Sequence, residues 1–161
     1  MNLEQAQSLR QLLRGQQVAS LGTLHDGAPY VSMVPFALLP DASAFVIHVS
    51  QLSSHTNDML DSPRVSLLVV TADTAGTPAQ ALARVTVQGQ AAHYPASTPG
   101  YSVAQEAYLS RFPGAVNTFA LSDFALFAIR PLSLRFIAGF AQALTLTPEA
   151  FARALNTPSS G

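Results

Sequence analysis

The chain has 161 residues, 48% hydrophobic and 11% charged, with a net charge of -1, where an ordinary soluble domain carries roughly 25% charged residues. All eight basic residues are arginines, and lysine, cysteine and tryptophan are absent, which excludes a Walker-type phosphate loop, covalently held pyridoxal phosphate, disulfides, thiolate metal sites and a thiol nucleophile. The near-neutral balance offers no electrostatic footprint for nucleic acid or an anionic membrane, and the length suits one domain with a sizeable core.

Leu3, Ala6, Leu9, Leu12 and Leu13 recur at three- and four-residue steps, predicting a helix over 2–14 that ends near Gly15. Its polar face is not basic, so the helix is expected to pack on its own domain rather than on a membrane. Val18 to Leu24 reads as a strand, and Asp26-Gly27 as a hairpin turn returning through Pro29 to Leu39. His25, in that turn, is expected to be solvated. Ala44 to Ser50 is the next strand, Ser53 to Asp61 a polar, helix-compatible stretch, and Pro63 to Thr71 a further strand. In Ala81 to Tyr94, Arg84, Thr86 and Gln88 alternate with Val85, Val87 and Gly89, as a half-buried strand requires. A helix follows from Tyr101 to Phe112, stopped by Pro113-Gly114. Phe124 to Ile129 and Leu132 to Phe140 read as two strands separated by Arg130-Pro131, with Ala143 to Leu146 continuing the second. Thr147-Pro148-Glu149 opens a short helix over 148–155, and the tail 156–161 is expected to be disordered. Six or seven mostly antiparallel strands with helical insertions predict a mainly β protein, a small barrel with helical caps. No apolar stretch has the length of a membrane span or a secretory signal, so a cytoplasmic protein is expected.

The four histidines have no partner at metal-ligand spacing, so no metal site is expected. Gly-x-Ser-x-Gly and Gly-x-Gly-x-x-Gly are both absent, which leaves hydrolase and Rossmann readings without support. The segment Ser50-Gln51-Leu52-Ser53-Ser54-His55-Thr56-Asn57-Asp58 is more informative. Following a strand and opening a helix, it can converge hydroxyls, an imidazole and free amides on an anion such as phosphate. On this segment alone the favoured reading is plainer, with Ser53 or Ser54 capping the helix.

In order and spacing, Pro29-Tyr30-Val31-Ser32-Met33-Val34-Pro35-Phe36, then Phe45 to Ser50, Ser53-Ser54-His55 and Ser62 to Leu68, resemble the FMN-binding split barrel of the pyridoxamine 5′-phosphate oxidase type. Leu82 to Gly89, Asp123-Phe124 and Ile137 to Ala143 are most similar to its haem-utilisation branch. The resemblance covers about 16–146 and implies a single-domain split β-barrel with FMN as cofactor. It implies that Ser32, Met33, Val34 and Pro35 lie along the flavin ring, with a main-chain contact from Val34. His48, Val49 and Ser50 then meet the ribityl and phosphate groups. Ser54 and His55 take the place of a basic pair at the phosphate, and Arg84 becomes a polar contact to phosphate or ring. The function implied is an FMN-dependent oxidoreductase in which the flavin carries hydride or electrons. The alternative is a non-catalytic flavin or haem carrier. The resemblance also implies a homodimer with flavin sites at its interface and a small-molecule substrate or electron donor, with no nucleic-acid or membrane partner.

Overall fold

In the computed structural model of the protein, residues 1–157 are described. The expected disordered tail therefore falls, from 158 onward, outside the described residues, while Asn156 closes the last helix. The elements in chain order are α1 (Leu3–Gly15), β1 (Val18–His25), β2 (Ala28–Pro35), β3 (Ala37–Leu38), β4 (Phe45–Ser50), α2 (Ser54–Asp61), β5 (Arg64–Val70), β6 (Arg84–His93), α3 (Tyr101–Arg111), α4 (Val116–Phe119), β7 (Phe124–Ile137), β8 (Ala143–Leu146) and α5 (Pro148–Asn156).

All strand pairs are antiparallel, in the order β2-β1-β5-β6-β7-β4-β3, with β8 added to β7. The two ends of that order, β2 and β3, are separated in sequence only by Phe36. A sheet whose edges are joined by one residue must curl round on itself, and the result is a split β-barrel. The Asp26-Gly27 turn has φ of 48° and 77°, the left-handed pair of a tight hairpin that Asp-Gly tolerates. Asn2 and Gln5 form a capping box at the start of α1, and Thr147 caps α5 ahead of Pro148.

Three boundaries differ from expectation. The strand expected over Pro29 to Leu39 divides at Phe36, and residues 37–38 leave β1 to pair with β4. Arg130-Pro131 does not separate two strands, because β7 runs continuously through it. The register with β6 shifts at Gln88/Gly89, opposite Pro131, so an irregularity absorbs the proline that an uninterrupted ladder would exclude. Ala143 to Leu146 does not prolong that strand but folds back on it as β8, across a turn in which Ala141 has φ 59°.

Alternate residues fill the barrel: Leu21, Val34, Phe36, Phe45, Ile47, Leu67, Val87, Phe127, Ile129, Leu134 and Phe136 are buried in one cluster. Leu9, Leu12 and Leu13 of α1 and Phe151 of α5 belong to the same cluster, so the two terminal helices share one barrel mouth. Burying each such side chain contributes about 2 kcal/mol before entropy is counted. A second cluster lies outside the barrel, where Ala104 and Tyr108 of α3 cover Ala37, Val46 and Leu126. No helix among the described residues is long and apolar enough to cross a membrane.

Candidate functional site

Strand alternation that sends Ala19, Leu21 and Thr23 inward turns Ser20, Gly22 and Leu24 outward. On the outer face one row crosses four strands, Val31–Gly22–Ser66–Gln88. It forms the floor of a groove of about 420 Å³ whose other lining includes Leu24, Tyr30, Arg64, Gly89 and Leu132. Gly22 keeps this floor low, since a Cβ there would come within 2.6 Å of Ser66 Oγ. The groove pairs apolar walls with hydroxyl and amide groups and one guanidinium. Val31 and Leu132 stay 69% and 55% exposed, more open apolar surface than isolated surface residues explain.

A polar cluster joins α2 to the β1-β2 hairpin. The Asp58 side chain is buried, its Oδ2 accepting from Thr23 Oγ1 at 2.8 Å and its Oδ1 lying 2.7 Å from His25 Nδ1. Burial pushes the Asp58 carboxyl up, but the hydrogen bonds from His25 and Thr23 and the attraction of two imidazoles outweigh it and hold the group below the usual value. An ionised carboxylate only accepts, so His25 Nδ1–H donates, and the bond and charge of Asp58 raise the His25 pKa. His25 is therefore engaged with α2 rather than free in its turn. Three residues before Asp58 on the same helix face, His55 shares a 3.0 Å hydrogen bond between its Nδ1 and Ser32 Oγ. Its Nε2 is buried without a partner. Burial lowers the His55 pKa, with Asp58 opposing.

The structure brings some residues singled out from the sequence together and spreads others. Ser32, on β2, and His55, on α2, meet directly. Ser54 is exposed at the first turn of α2, where neither Ser53 nor Ser54 caps the helix; Thr56 instead donates to the Ser50 carbonyl at 2.6 Å. Met33 is exposed, Pro35 half-buried, and the Val34 and Val49 side chains lie in the core. His48 faces a different environment, stacked on Phe119 of α4 with ring centroids 3.7 Å apart and flanked by Tyr108 and Phe124. Burial pushes its pKa down to about 4. Arg84 donates to the carbonyls of Leu82 and Gln80, holding the turn before β6. Its place in the ladder is three strands and three residues from Ser32, on the order of 15 Å, so the two do not surround one group. Sequence reasoning did not single out the groove residues Gly22, Arg64, Ser66, Gln88 and Leu132. The outward positions of four alternating strands carried the signal, which becomes legible only once the register is known. Among the described residues no cluster of three His, Asp or Glu side chains is arranged to hold a metal ion.

Residues 6–138 match the pyridoxamine 5′-phosphate oxidase family. The chain is 32% identical over 146 residues to the chloroplastic noncanonical haem oxygenase HOZ of Arabidopsis thaliana, covering 88% of this chain and 42% of that protein. Its fold superposes on a haem-binding protein from Mycobacterium smegmatis with TM-score 0.80 and 30% identity, covering 92% of this chain and 60% of the other. HutZ, the haem storage protein from Vibrio cholerae, has the same fold at TM-score 0.68 and 23% identity, over 81% of this chain and 91% of that one. The chain thus spans about two fifths of the plant protein and three fifths of the mycobacterial one.

Proposed function

Because the chain belongs to the pyridoxamine 5′-phosphate oxidase family, we propose that it is a haem-binding split-barrel protein, holding the tetrapyrrole as a carrier in the outer groove of the sheet. The groove itself carries this reading. Its apolar walls suit a flat ring, and Arg64 at its rim suits a propionate carboxylate. No lining side chain is a carboxylate or imidazole, a composition better suited to holding a ligand than to moving protons through it. Haem, when bound, would supply a redox-active iron. Val31, Leu24 and Leu132 would exclude water from its ring, and Arg64 would set its orientation. Two relatives above 25% identity whose names refer to haem support the same ligand class.

A second reading, FMN, is favoured by one observation: His55 Nε2, buried without a partner beside Ser32 and the open first turn of α2. A phosphate there would receive the orphaned N–H and the helix amides. The countercharge is weak, because burial disfavours protonated His55. On this reading FMN would supply redox chemistry through its ring, while Ser32 and His55 bind its phosphate.

Parallel titrations with haem and FMN separate the two. Haem is expected to give a shifted Soret band with a one-to-one endpoint, with binding weakened at least tenfold in Arg64→Gln. An unshifted Soret band together with FMN binding that His55→Ala weakens more than His25→Ala would replace the haem reading with the flavin one. The exposed side chains of Val31, Met33 and Leu132 on one outer face also support a homodimer pairing through that face, with the ligand at its interface. Light scattering is expected to give twice the chain mass of 17.0 kDa, and a monomer mass in Met33→Arg.

A further inference from the structure

A second pocket, remote in the fold from the groove, gathers three of the eight arginines. It measures about 250 Å³ and lies where the end of α1 meets the end of α5 and the loop between β3 and β4, with Arg10, Arg14, Arg111, Leu38, Pro40 and Leu155 among its lining. Arg10 is 7% exposed and its Nη1 donates to the Ala154 carbonyl of α5 at 2.5 Å. Arg111 donates from Nη2 to the carbonyls of Leu13 and Gln16 at the end of α1 and lies over the Phe36 ring. Arg14 makes no side-chain hydrogen bond among the described residues.

The charges do not balance. Arg10 and Arg14 stand one turn apart on one face of α1, a like-charge spacing that is unfavourable without a counterion. The carbonyl ends of α1 and α5, and of α3 on whose last turn Arg111 sits, each contribute roughly -0.5 of a charge, so three guanidiniums leave an excess of roughly +1.5. Among the described residues no arginine lies within ion-pair distance of a carboxylate, and no acidic side chain lines the pocket. Asp41, on the adjoining loop, is exposed and accepts a hydrogen bond from the Ser43 amide. Arg111, which lines the pocket, has its Nε buried with no partner. A buried guanidinium N–H left unpaired is costly, and closing helix ends, the structural task of Arg10 and Arg111, leaves it unexplained.

We propose that this pocket binds the phosphate group of a small phosphate monoester, its dianion meeting the three guanidiniums and its apolar body meeting the wall formed by Leu38, Pro40 and Leu155. Guanidinium forks match phosphate oxygens geometrically, and a dianion matches the excess charge.

Isothermal titration of the full chain at constant ionic strength, with phenyl phosphate and with inorganic phosphate, tests this. Phenyl phosphate is expected to bind at least threefold more tightly than inorganic phosphate. Arg14→Gln, exposed and outside the helix-closing bonds, is expected to weaken phenyl phosphate binding at least fivefold with an unchanged melting temperature. Arg111→Lys, which retains charge but not the fork, is expected to weaken it as well. His55→Gln is expected to have no effect, which keeps this site distinct from the helix segment at Ser32. Absence of binding by either compound, full affinity in Arg14→Gln, or loss of affinity in His55→Gln overturns the proposal. Equal affinity for the two compounds overturns the ester assignment in favour of free phosphate.

Discussion

Two histidine environments, one on β4 and one at the end of β1, differ in how they treat the same side chain. His48 projects from β4 into an aromatic cluster formed with Tyr108, Phe119 and Phe124; among the described residues its one hydrogen-bond partner is Thr118 Oγ1 at a long 3.4 Å from Nδ1. His25 sits at the end of β1, half in solvent, bound to the buried carboxylate of Asp58. Burial without a counterion pushes one pKa down to about 4, and a carboxylate pushes the other up. Burial in one case and a carboxylate partner in the other decide which protonation state the fold stabilises.

The contrast predicts opposite pH slopes for stability. The unfolded chain protonates His48 near pH 6.5 but the folded chain only near 4, so acidification through that window favours unfolding and costs about 3 kcal/mol in total. His48→Leu is expected to flatten the dependence of urea stability on pH between 6.5 and 4, the largest effect of the set; an unchanged slope would place His48 in solvent. Asp58→Asn is expected next. It leaves the His25 and Thr23 donors facing an amide that also donates, and costs about 2 kcal/mol at neutral pH. Because the Asp58 pKa is lowered on folding, the carboxylate's contribution is present above its ordinary value near 3.8 and fades below it, so wild type and Asp58→Asn should converge in strong acid. The smallest effect belongs to His25→Ala. The raised His25 pKa makes its contribution complete below about pH 6.5 and lost as pH rises through the folded value. The difference between wild type and variant should therefore shrink between pH 6 and pH 9, and a constant difference would break the contrast with His48.

The sequence made local features legible and distant ones not. Asp26-Gly27, the Thr147-Pro148 cap and the leucine spacing of α1 are decided within a few residues, and the structure places a turn and two helices there. The alternation of Val85 and Val87 with Thr86 and Gln88 marked one row of the barrel wall. Arg130-Pro131 read as a break because proline cannot donate to a ladder; the irregularity opposite it, at Gln88/Gly89, is a property of the partner strand. At the candidate site, Ser32 and His55 were both singled out, but their hydrogen bond spans 23 positions. Asp58 closes on His25 across 33 positions, and Thr118 lies 70 positions from His48. Such pairings follow from strand order, which no spacing in the chain reveals.

The long strand β7 has a further consequence, for the order in which the molecule assembles. Its first half completes the sheet against β4 and its second half carries β8, while β6 runs along both. Hairpins such as β1-β2 close on neighbouring residues, but pairing Phe124 with Ser50 closes a loop of roughly 70 residues, an entropic cost that must be met before the contact rewards it. Until that docking event, the β4 edge and the inward phenylalanines remain open to other chains. Docking of this single strand is therefore expected to be the slow step of folding and to set the interval during which misassembly competes.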